Sequence, residues 1–148
     1  MKANEQTLQQ VERALRKVAE KFPSNEEATL LTDIHLRVTQ ETGELVAYDD
    51  DDNEITRCIV EQWIDNKEDS FYDDAANTLR SVLTKHKEKV EKMSILKPYS
   101  FVLEDDALWV NVSFFVDRLF SGFRILRNAF LENCLPYFIY SCYISRLS

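Results

Sequence analysis

The amino-acid sequence predicts an α+β protein with two main helices packed on a small antiparallel sheet, followed by an apolar helical C-terminal tail. Two long segments repeat apolar residues every three to four positions, whereas residues 32–40 alternate strictly between apolar and polar. Only two glycines and three prolines occur among 148 residues, which favours long regular elements over elaborate loops. A chain of this length forms one typical domain and needs no disulfides to fold.

The first helix is predicted over residues 7–21. Thr7 followed by Gln10 fits a capping box, in which the two side chains satisfy free backbone N–H groups at the helix start. Pro23 ends the helix, because the residue before a proline avoids the α conformation. The apolar stripe of this helix consists of Val11, Ala14, Leu15, Val18 and Phe22.

A β-hairpin is predicted next. Residues 32–40 form its first strand and residues 44–48 its returning strand. Gly43, between the two, can take the positive φ that a tight connection requires. The face of the first strand that we expect to be buried consists of Ile34, Leu36 and Val38.

Residues 55–64 admit two interpretations. Their β-branched content favours a third strand, with Cys58, Val60 and Ile64 on one face. The alternative is a helix that directs inward Ile55, Ile59 and Trp63.

The second long helix is predicted over residues 70–92, and a further strand over residues 99–103. Ser70 can cap the helix, and Asp73 and Asp74 lie in the first turn, where the helix dipole favours anions. The buried stripe of this helix is expected to consist of Phe71, Ala75, Leu79, Val82, Leu83 and Val90.

The character of the chain changes abruptly at residue 106. Residues 1–106 carry 14 Lys and Arg against 24 Asp and Glu, a net charge of −10. Residues 107–148 carry four Arg, no Lys, one Asp and one Glu, a net charge of +2, together with ten of the 17 aromatic residues. Solvated helices use Lys and Glu freely, so the loss of Lys indicates a loss of solvated surface. We therefore divide the chain into an acidic α+β head and an apolar tail, and expect the tail to complete the same domain.

Within the tail, residues 111–133 fit an amphipathic helix. Residues 137–144 (Y-F-I-Y-S-C-Y-I) are uncharged and β-prone, so we expect the core, a subunit or a lipid surface to cover them. The tail residues expected to form an interaction surface are Phe115, Leu119, Phe123 and Phe130.

Three interpretations of the tail remain open. It completes the core or a dimer interface, or it lies on a membrane surface, or it is not the natural continuation of the head. The composition of the tail, with Arg but no Lys and with many Phe and Tyr, favours the third interpretation, because it is typical of a shifted reading frame.

Composition disfavours several classes of function. A pI near 4.8 disfavours nucleic-acid binding, because neutralising phosphates requires basic side chains. The two glycines cannot build a phosphate-binding loop, and no cofactor motif occurs. The sequence contains no run of about 18 uninterrupted apolar residues, the length that a membrane-spanning helix needs. The N-terminus also lacks the apolar core of a secretory signal. The cysteines form no disulfide or zinc pattern and suit the reducing cytoplasm; they are Cys58, Cys134 and Cys142.

The densest group of potential ligands runs from Asp49 to Glu54. The spacing of Asp49, Asp51 and Asn53 resembles the start of an EF-hand loop, which binds Ca²⁺ through oxygen atoms. The match then fails, because Glu54 occupies the place of the required Gly and Val60 that of the bidentate Glu. We expect a solvated turn without a specific metal, in which these residues are weak candidates for cation binding.

A hydrolase site can be imagined from Cys58, His35 and Asp33, because Asp33 and His35 share the polar face of the first strand. The carboxylates of residues 49–54 are the other candidate groups for catalysis. No local signature supports either, and we expect surface histidines and a buried cysteine.

An acidic stretch and three aromatic residues surround the start of the second helix. We interpret the acids as capping groups and the aromatics as core and rim residues, and not as a catalytic pair or a ligand-stacking patch. The acids are Asp65, Glu68, Asp69, Asp73 and Asp74, and the aromatics are Trp63, Phe71 and Tyr72.

The stretch from Ile95 to Asp106 (I-L-K-P-Y-S-F-V-L-E-D-D), together with the helix and hairpin before it, resembles small acidic bacterial proteins of uncharacterised families. The resemblance covers the head and stops at the tail. It implies no activity, ligand or catalytic residue.

The sequence as a whole favours a cytoplasmic protein that acts through binding and not through catalysis. The expected partner is a protein, either a basic one attracted by the acidic head or a second copy that contacts the tail. The alternatives are a small hydrolase, a protein bound to a membrane surface through the tail, and a mimic of nucleic-acid charge.

Overall fold

The computed structural model describes residues 2–105, 112–116 and 125–126. These parts contain three helices and six strands, so the predicted α+β class is confirmed. The helices are α1 (Glu5–Lys21), α2 (Phe71–Lys85) and α3 (Lys87–Glu91). The strands are β1 (Ile34–Thr39), β2 (Glu44–Tyr48), β3 (Glu54–Ile59), β4 (Tyr99–Asp105), β5 (Val112–Val116) and β6 (Ile125–Leu126).

The six strands form one sheet in the order β3-β2-β1-β4-β5-β6. Strands β1 and β4 are parallel, with Ile34 opposite Phe101, and the other neighbouring pairs are antiparallel. The sheet is therefore mixed, and the prediction of an antiparallel sheet is wrong at this pair. Because β2, β3 and the helices α2 and α3 lie between β1 and β4 in the chain, the connection is long enough to make a parallel crossover.

Helix α1 starts two residues before the predicted start, and its cap is Asn4. The Asn4 side-chain oxygen accepts a hydrogen bond from the Thr7 backbone N–H at 2.7 Å. The Thr7 hydroxyl instead donates to the Gln62 side chain at 2.6 Å, so the predicted capping box of Thr7 and Gln10 is wrong. Phe22 follows as the C-terminal cap, in agreement with a helix that ends before Pro23.

The predicted hairpin of β1 and β2 is confirmed. Gly43 has φ of +69°, and its N–H donates to the Thr39 carbonyl at 2.9 Å. A Cβ atom at this position would lie 2.7 Å from the Ile64 Cγ1 atom and 2.8 Å from the Val60 carbonyl oxygen. Glycine is therefore required here both by backbone conformation and by the close approach of the segment after β3.

The ambiguity over residues 55–64 is resolved in favour of a strand. Strand β3 runs to Ile59, and the short 3-10 helix Glu61–Trp63 follows it. In the part of the chain that the structure describes, β3 is the last strand on its side of the sheet. It pairs antiparallel with β2, where its β-branched residues suit the strand conformation.

Helix α2 is confirmed, but the predicted helix over residues 70–92 divides at His86 into α2 and α3. At this point Lys85 reaches across to α1 and donates to the Glu12 carboxylate at 3.2 Å. Ser70 occupies the cap position without capping a backbone N–H, because its hydroxyl donates to the Asp74 carboxylate at 2.8 Å.

Within the described residues, helices cover one face of the sheet and leave the other face open. Ile34, Leu36 and Val38 point to the covered face, where they pack with the apolar stripes of α1 and α2. Alternation along β1 places the side chains between them on the open face, where they are half-buried. The open-face residues of β1 are His35, Arg37 and Thr39.

The two described stretches of the tail are strands. Strand β5 pairs with β4, with Phe115 opposite Ser100, and β6 pairs with β5. The prediction of a helix over residues 111–133 is therefore wrong at residues 112–116 and 125–126. The β-branched and aromatic residues of V-S-F-F-V suit a strand as well as a helical period, and the edge of β4 supplies a partner.

Other predictions for the tail fall on residues that the structure does not describe. They include the helical prediction at residues 117–124 and 127–133, the β-prone segment 137–144, and the interaction residues Leu119, Phe123 and Phe130. The division into head and tail within one domain stays a prediction. Among the described residues, no helix is both long enough and apolar enough to cross a membrane.

Candidate functional site

Four charged side chains from three parts of the chain meet on the open face of the sheet. The His35 Nδ1 atom lies 2.7 Å from the Glu104 Oε1 atom, and the His35 Nε2 atom lies 2.8 Å from the Asp50 Oδ1 atom. Arg37 donates from Nη2 to the other Glu104 oxygen at 3.1 Å. Its guanidinium carbon also lies 4.7 Å from the centre of the Tyr48 ring, within the range of a cation–π contact.

The two carboxylates favour the protonated form of His35. Partial burial works against this charge, but the hydrogen bonds to Asp50 and Glu104 outweigh it and raise the pKa of the His35 imidazole. An imidazole that donates from both nitrogens to carboxylates has no free lone pair with which to accept a proton. The arrangement therefore suits a structural cross-link between the acidic turn and β4 better than a general base.

The Asp33 carboxylate binds a backbone N–H group and does not orient His35. One carboxylate oxygen of Asp33 accepts a hydrogen bond from the Ser100 N–H at 2.8 Å, which ties the start of β1 to β4. Burial raises the pKa of the Asp33 carboxyl in spite of this hydrogen bond. The imagined pairing of Asp33 with His35 is therefore replaced by His35 contacts to Asp50 and Glu104.

Cys58 lies on the opposite side of the sheet from His35. Its cross-strand partner is Leu45, a fully buried core residue, and its Sγ atom lies 4.0 Å from the Gln10 carbonyl oxygen of α1. Burial raises the pKa of the Cys58 thiol, which disfavours the reactive thiolate. The structure thus does not bring the three groups of the imagined hydrolase site together.

The acidic turn between β2 and β3 satisfies its own polar groups. One Asp49 carboxylate oxygen accepts backbone N–H groups from Asp51 and Asn53, both at 2.9 Å, and the other oxygen accepts the Asn53 side-chain amide at 3.1 Å. Burial acts to raise the pKa of the Asp49 carboxyl, but these hydrogen bonds lower it below its ordinary value. In the described part of the chain, no three His, Cys, Asp or Glu side chains are grouped so that they could hold a metal ion.

A groove of ≈ 520 Å³ opens at the other end of the hairpin, between its turn and the segment that leads into α2. Four carboxylates and one lysine line it, so the formal charge of the lining is −3. This acidic groove is formed by Gln40, Glu41, Asp65, Asn66, Lys67, Glu68, Asp69 and Tyr72.

Hydrogen bonds from backbone and side-chain groups hold both walls of the acidic groove in place. The Asp65 N–H donates to the Glu41 carbonyl at 3.2 Å, and the Gln40 side chain donates to the Asn66 carbonyl. The Asn66 side chain in turn accepts the Glu68 N–H at 2.9 Å. Asp65 itself has a positive φ of 50°, a conformation that Asp and Asn adopt more readily than most residues.

The three aromatic residues before and within α2 divide between the core and the groove. Trp63 and Phe71 are fully buried, with ring centres 6.0 Å apart in an edge-to-face arrangement. The half-buried Tyr72 packs on Phe71 at 4.9 Å and lines the acidic groove. The core interpretation is therefore confirmed for Trp63 and Phe71, and Tyr72 is a rim residue.

Most residues of the His35 network and of the acidic groove do not follow from the sequence. Alternation in β1 correctly predicts His35 and Arg37 on one polar face, but the strand predicted over residues 99–103 ends one residue before Glu104, which lies within β4. Asp65, Glu68 and Asp69 were interpreted as capping groups, whereas they line the acidic groove with Glu41. The run of carboxylates before α2 was the available signal, and nothing in the sequence indicated that the hairpin turn faces it.

Comparison with known proteins adds no assignment to this geometry. No protein-family model matches the chain, and no curated protein or solved structure is significantly similar to it. The resemblance of the stretch from Ile95 to Asp106 to small acidic bacterial proteins stays a prediction, and any function has to be argued from the residues themselves.

Proposed function

We propose that this chain is a non-catalytic protein-binding module, and that its acidic head binds a basic partner. The observation that carries the proposal is the acidic groove, where Glu41, Asp65, Glu68 and Asp69 outnumber Lys67 by four to one. Lys67 pairs weakly with Asp65, at 3.7 Å and with both side chains largely exposed. Even without Glu68, the carboxylates of Glu41, Asp65 and Asp69 exceed the single lysine, and lysine or arginine side chains of a partner could neutralise this formal excess of negative charge.

The field of the whole head adds to the charge of the groove. Residues 1–106 carry a net charge of −10, and such an excess attracts basic partners and repels acidic ones before contact. The hydrogen bonds of the groove hold its walls in place without a ligand, so binding would not lose free energy by ordering them.

The chemistry of the other candidate groups supports binding over hydrolysis. Both His35 nitrogens contact carboxylates, and burial disfavours the Cys58 thiolate. A hydrolase built on these residues would require Cys58 and His35 to reach the same face of the sheet.

The proposal is tested by fluorescence anisotropy with a labelled ten-residue lysine peptide and the full-length chain at about 150 mM salt. Glu41→Gln with Asp65→Asn removes two charges from the groove, and Asn tolerates the positive φ of residue 65. Glu26→Gln with Glu27→Gln removes two exposed charges from the loop after α1 and serves as the matched control.

We expect the groove variant to weaken binding at least fivefold and the control variant to change it less than twofold. Equal effects of the two variants would mean that only net charge attracts the peptide, and the proposal would then be wrong. Absence of binding to the unmodified chain at this salt concentration would also contradict it.

A further inference from the structure

Two exposed isoleucines lie beside the acidic groove. The Ile59 residue is 53% exposed at the end of β3, and Ile64 is 48% exposed just after the 3-10 helix. Both adjoin the hairpin turn: Ile59 is the cross-strand partner of Glu44, and Ile64 lies against Gly43. We call Ile59 and Ile64 the isoleucine pair.

The isoleucine pair and the acidic groove are attached to the same hairpin turn. Ile64 precedes Asp65, and the Asp65 N–H is bonded to the carbonyl of Glu41, two residues before Gly43. The Val60 N–H donates to the Gly43 carbonyl at 2.8 Å, which holds the end of β3 against the same turn. The apolar and acidic parts are therefore fixed relative to each other by the hairpin turn.

The position of Ile59 makes it accessible to a partner. Among the described residues, β3 is the last strand on its side of the sheet, and the exposed Ile59 follows the ion pair that Arg57 makes with Glu54 at 2.9 Å. Charged residues commonly protect an edge strand against unwanted pairing, and here they stop before the isoleucine pair. The two exposed side chains offer a partner that binds the groove apolar surface to bury beside it.

We propose that the isoleucine pair and the acidic groove together bind one protein segment in which lysine or arginine alternates with large aliphatic residues. Charge complementarity selects this occupant, because the surface bordering the isoleucines carries a formal charge of −3 and would repel an acidic segment. The isoleucines bind the aliphatic residues, and the carboxylates bind the basic ones. This inference rests on the proposed function and adds the chemical class of its partner.

Two labelled ten-residue peptides test the proposal, one of alternating lysine and leucine and one of alternating lysine and serine. Both carry the same charge, so a difference in their affinity for the full-length chain reports the apolar contact. Ile59→Thr with Ile64→Thr shortens the isoleucine pair while it keeps β-branched side chains. Leu30→Thr with Leu31→Thr is the matched control, since these leucines are 44% and 53% exposed elsewhere on the surface.

We expect the unmodified chain to bind the lysine–leucine peptide about tenfold more tightly than the lysine–serine peptide. The isoleucine variant should lose this preference, and the leucine variant should keep it. Thermal unfolding of each variant, with a midpoint near that of the unmodified chain, shows that the fold is retained.

Different experimental results would contradict the combined surface and the acidic binding site. Equal affinity for the two peptides, with both weakened by Glu41→Gln and Asp65→Asn, would overturn the inference and leave the acidic binding site in place. A preference that the leucine variant abolishes equally would also overturn it. If light scattering shows a dimer that the isoleucine variant dissociates, a second copy of this chain is the occupant and the proposed basic segment is wrong.

Discussion

His35 and Glu104 lie 69 residues apart in the chain and 2.7 Å apart in the fold. The parallel pairing of β1 and β4 places Glu104 opposite Arg37, one step along the open face from His35. Glu104 therefore accepts hydrogen bonds from both residues, and Asp50 completes the network from the turn after β2. This contact ties together strands that the sequence keeps far apart, and it gives the fold a dependence on pH.

The first prediction concerns the pH dependence of stability. The pKa of His35 is raised in the folded state above its unfolded value of about 6.5, so the folded chain binds the proton more tightly. The stability that His35 contributes is therefore fully present below about pH 6.5 and is lost as the pH rises through the folded pKa. We expect His35→Gln to lower the free energy of unfolding by roughly 1–2 kcal/mol at pH 5.5, and by clearly less at pH 9.

Urea unfolding of the unmodified chain and of the His35→Gln variant, each at the two pH values, measures this difference. Glu104→Gln is a companion variant, because it removes one of the two charges that stabilise the imidazolium. In a chain that already carries Glu104→Gln, the loss of unfolding free energy caused by His35→Gln should therefore depend less on pH. A His35→Gln effect of the same size at both pH values would contradict the prediction.

The second prediction concerns Gly43. We expect Gly43→Ala to destabilise the chain by roughly 2 kcal/mol, because the positive φ is strained for alanine and the new Cβ would press on the Val60 carbonyl oxygen. The midpoint of urea unfolding measures the loss. Thr42→Ala, at an exposed position of the same turn, should change the free energy of unfolding by less than about 0.5 kcal/mol. Similar values for the two variants would show that the turn does not require glycine.

The third prediction concerns the reactivity of Cys58. Burial raises the pKa of its thiol, so we expect iodoacetamide at pH 8 to modify native Cys58 at least tenfold more slowly than it does in urea. Peptide mapping by mass spectrometry separates Cys58 from Cys134 and Cys142. Rapid modification of Cys58 in the native chain would instead support the hydrolase interpretation.

The fourth prediction concerns the start of α1. Asn4→Ala removes the side chain that accepts the Thr7 N–H, and we expect it to cost about 1 kcal/mol of the free energy of unfolding. Asn4→Ser keeps a capping oxygen, so it should retain most of the stability. The backbone N–H of residue 4 donates to the Gln62 side chain at 3.0 Å in every variant, so equal losses for Asn4→Ala and Asn4→Ser would contradict the capping role of the Asn4 side chain.

Local patterns predicted the elements whose stabilising contacts repeat within a few residues. The alternation of residues 32–40 predicted β1 and its buried face, and the apolar stripe of α2 was also recovered. Gly43 was identified because only one residue type readily suits the turn. The same reasoning was wrong at V-S-F-F-V, where the spacing fits a helix and the residue types fit a strand equally well.

The two proposed binding surfaces could not be predicted in this way, because they are built from segments distant in the chain. The acidic groove needs the turn at Glu41 beside Asp65, which depends on the path of the chain after β3. The isoleucine pair was likewise ambiguous, since Ile59 and Ile64 fit a buried face in one or the other local interpretation of residues 55–64.

Local periodicity, turn chemistry and a count of charges are enough to predict the α+β class, the two main helices, the hairpin and the acidic character of the head. Three relationships appear only in the folded chain: β1 pairs with β4 in parallel, Cys58 and His35 lie on opposite faces, and His35 contacts Glu104. A contact between distant residues depends on how whole elements pack, and that packing leaves no repeating signal in the residues that make the contact.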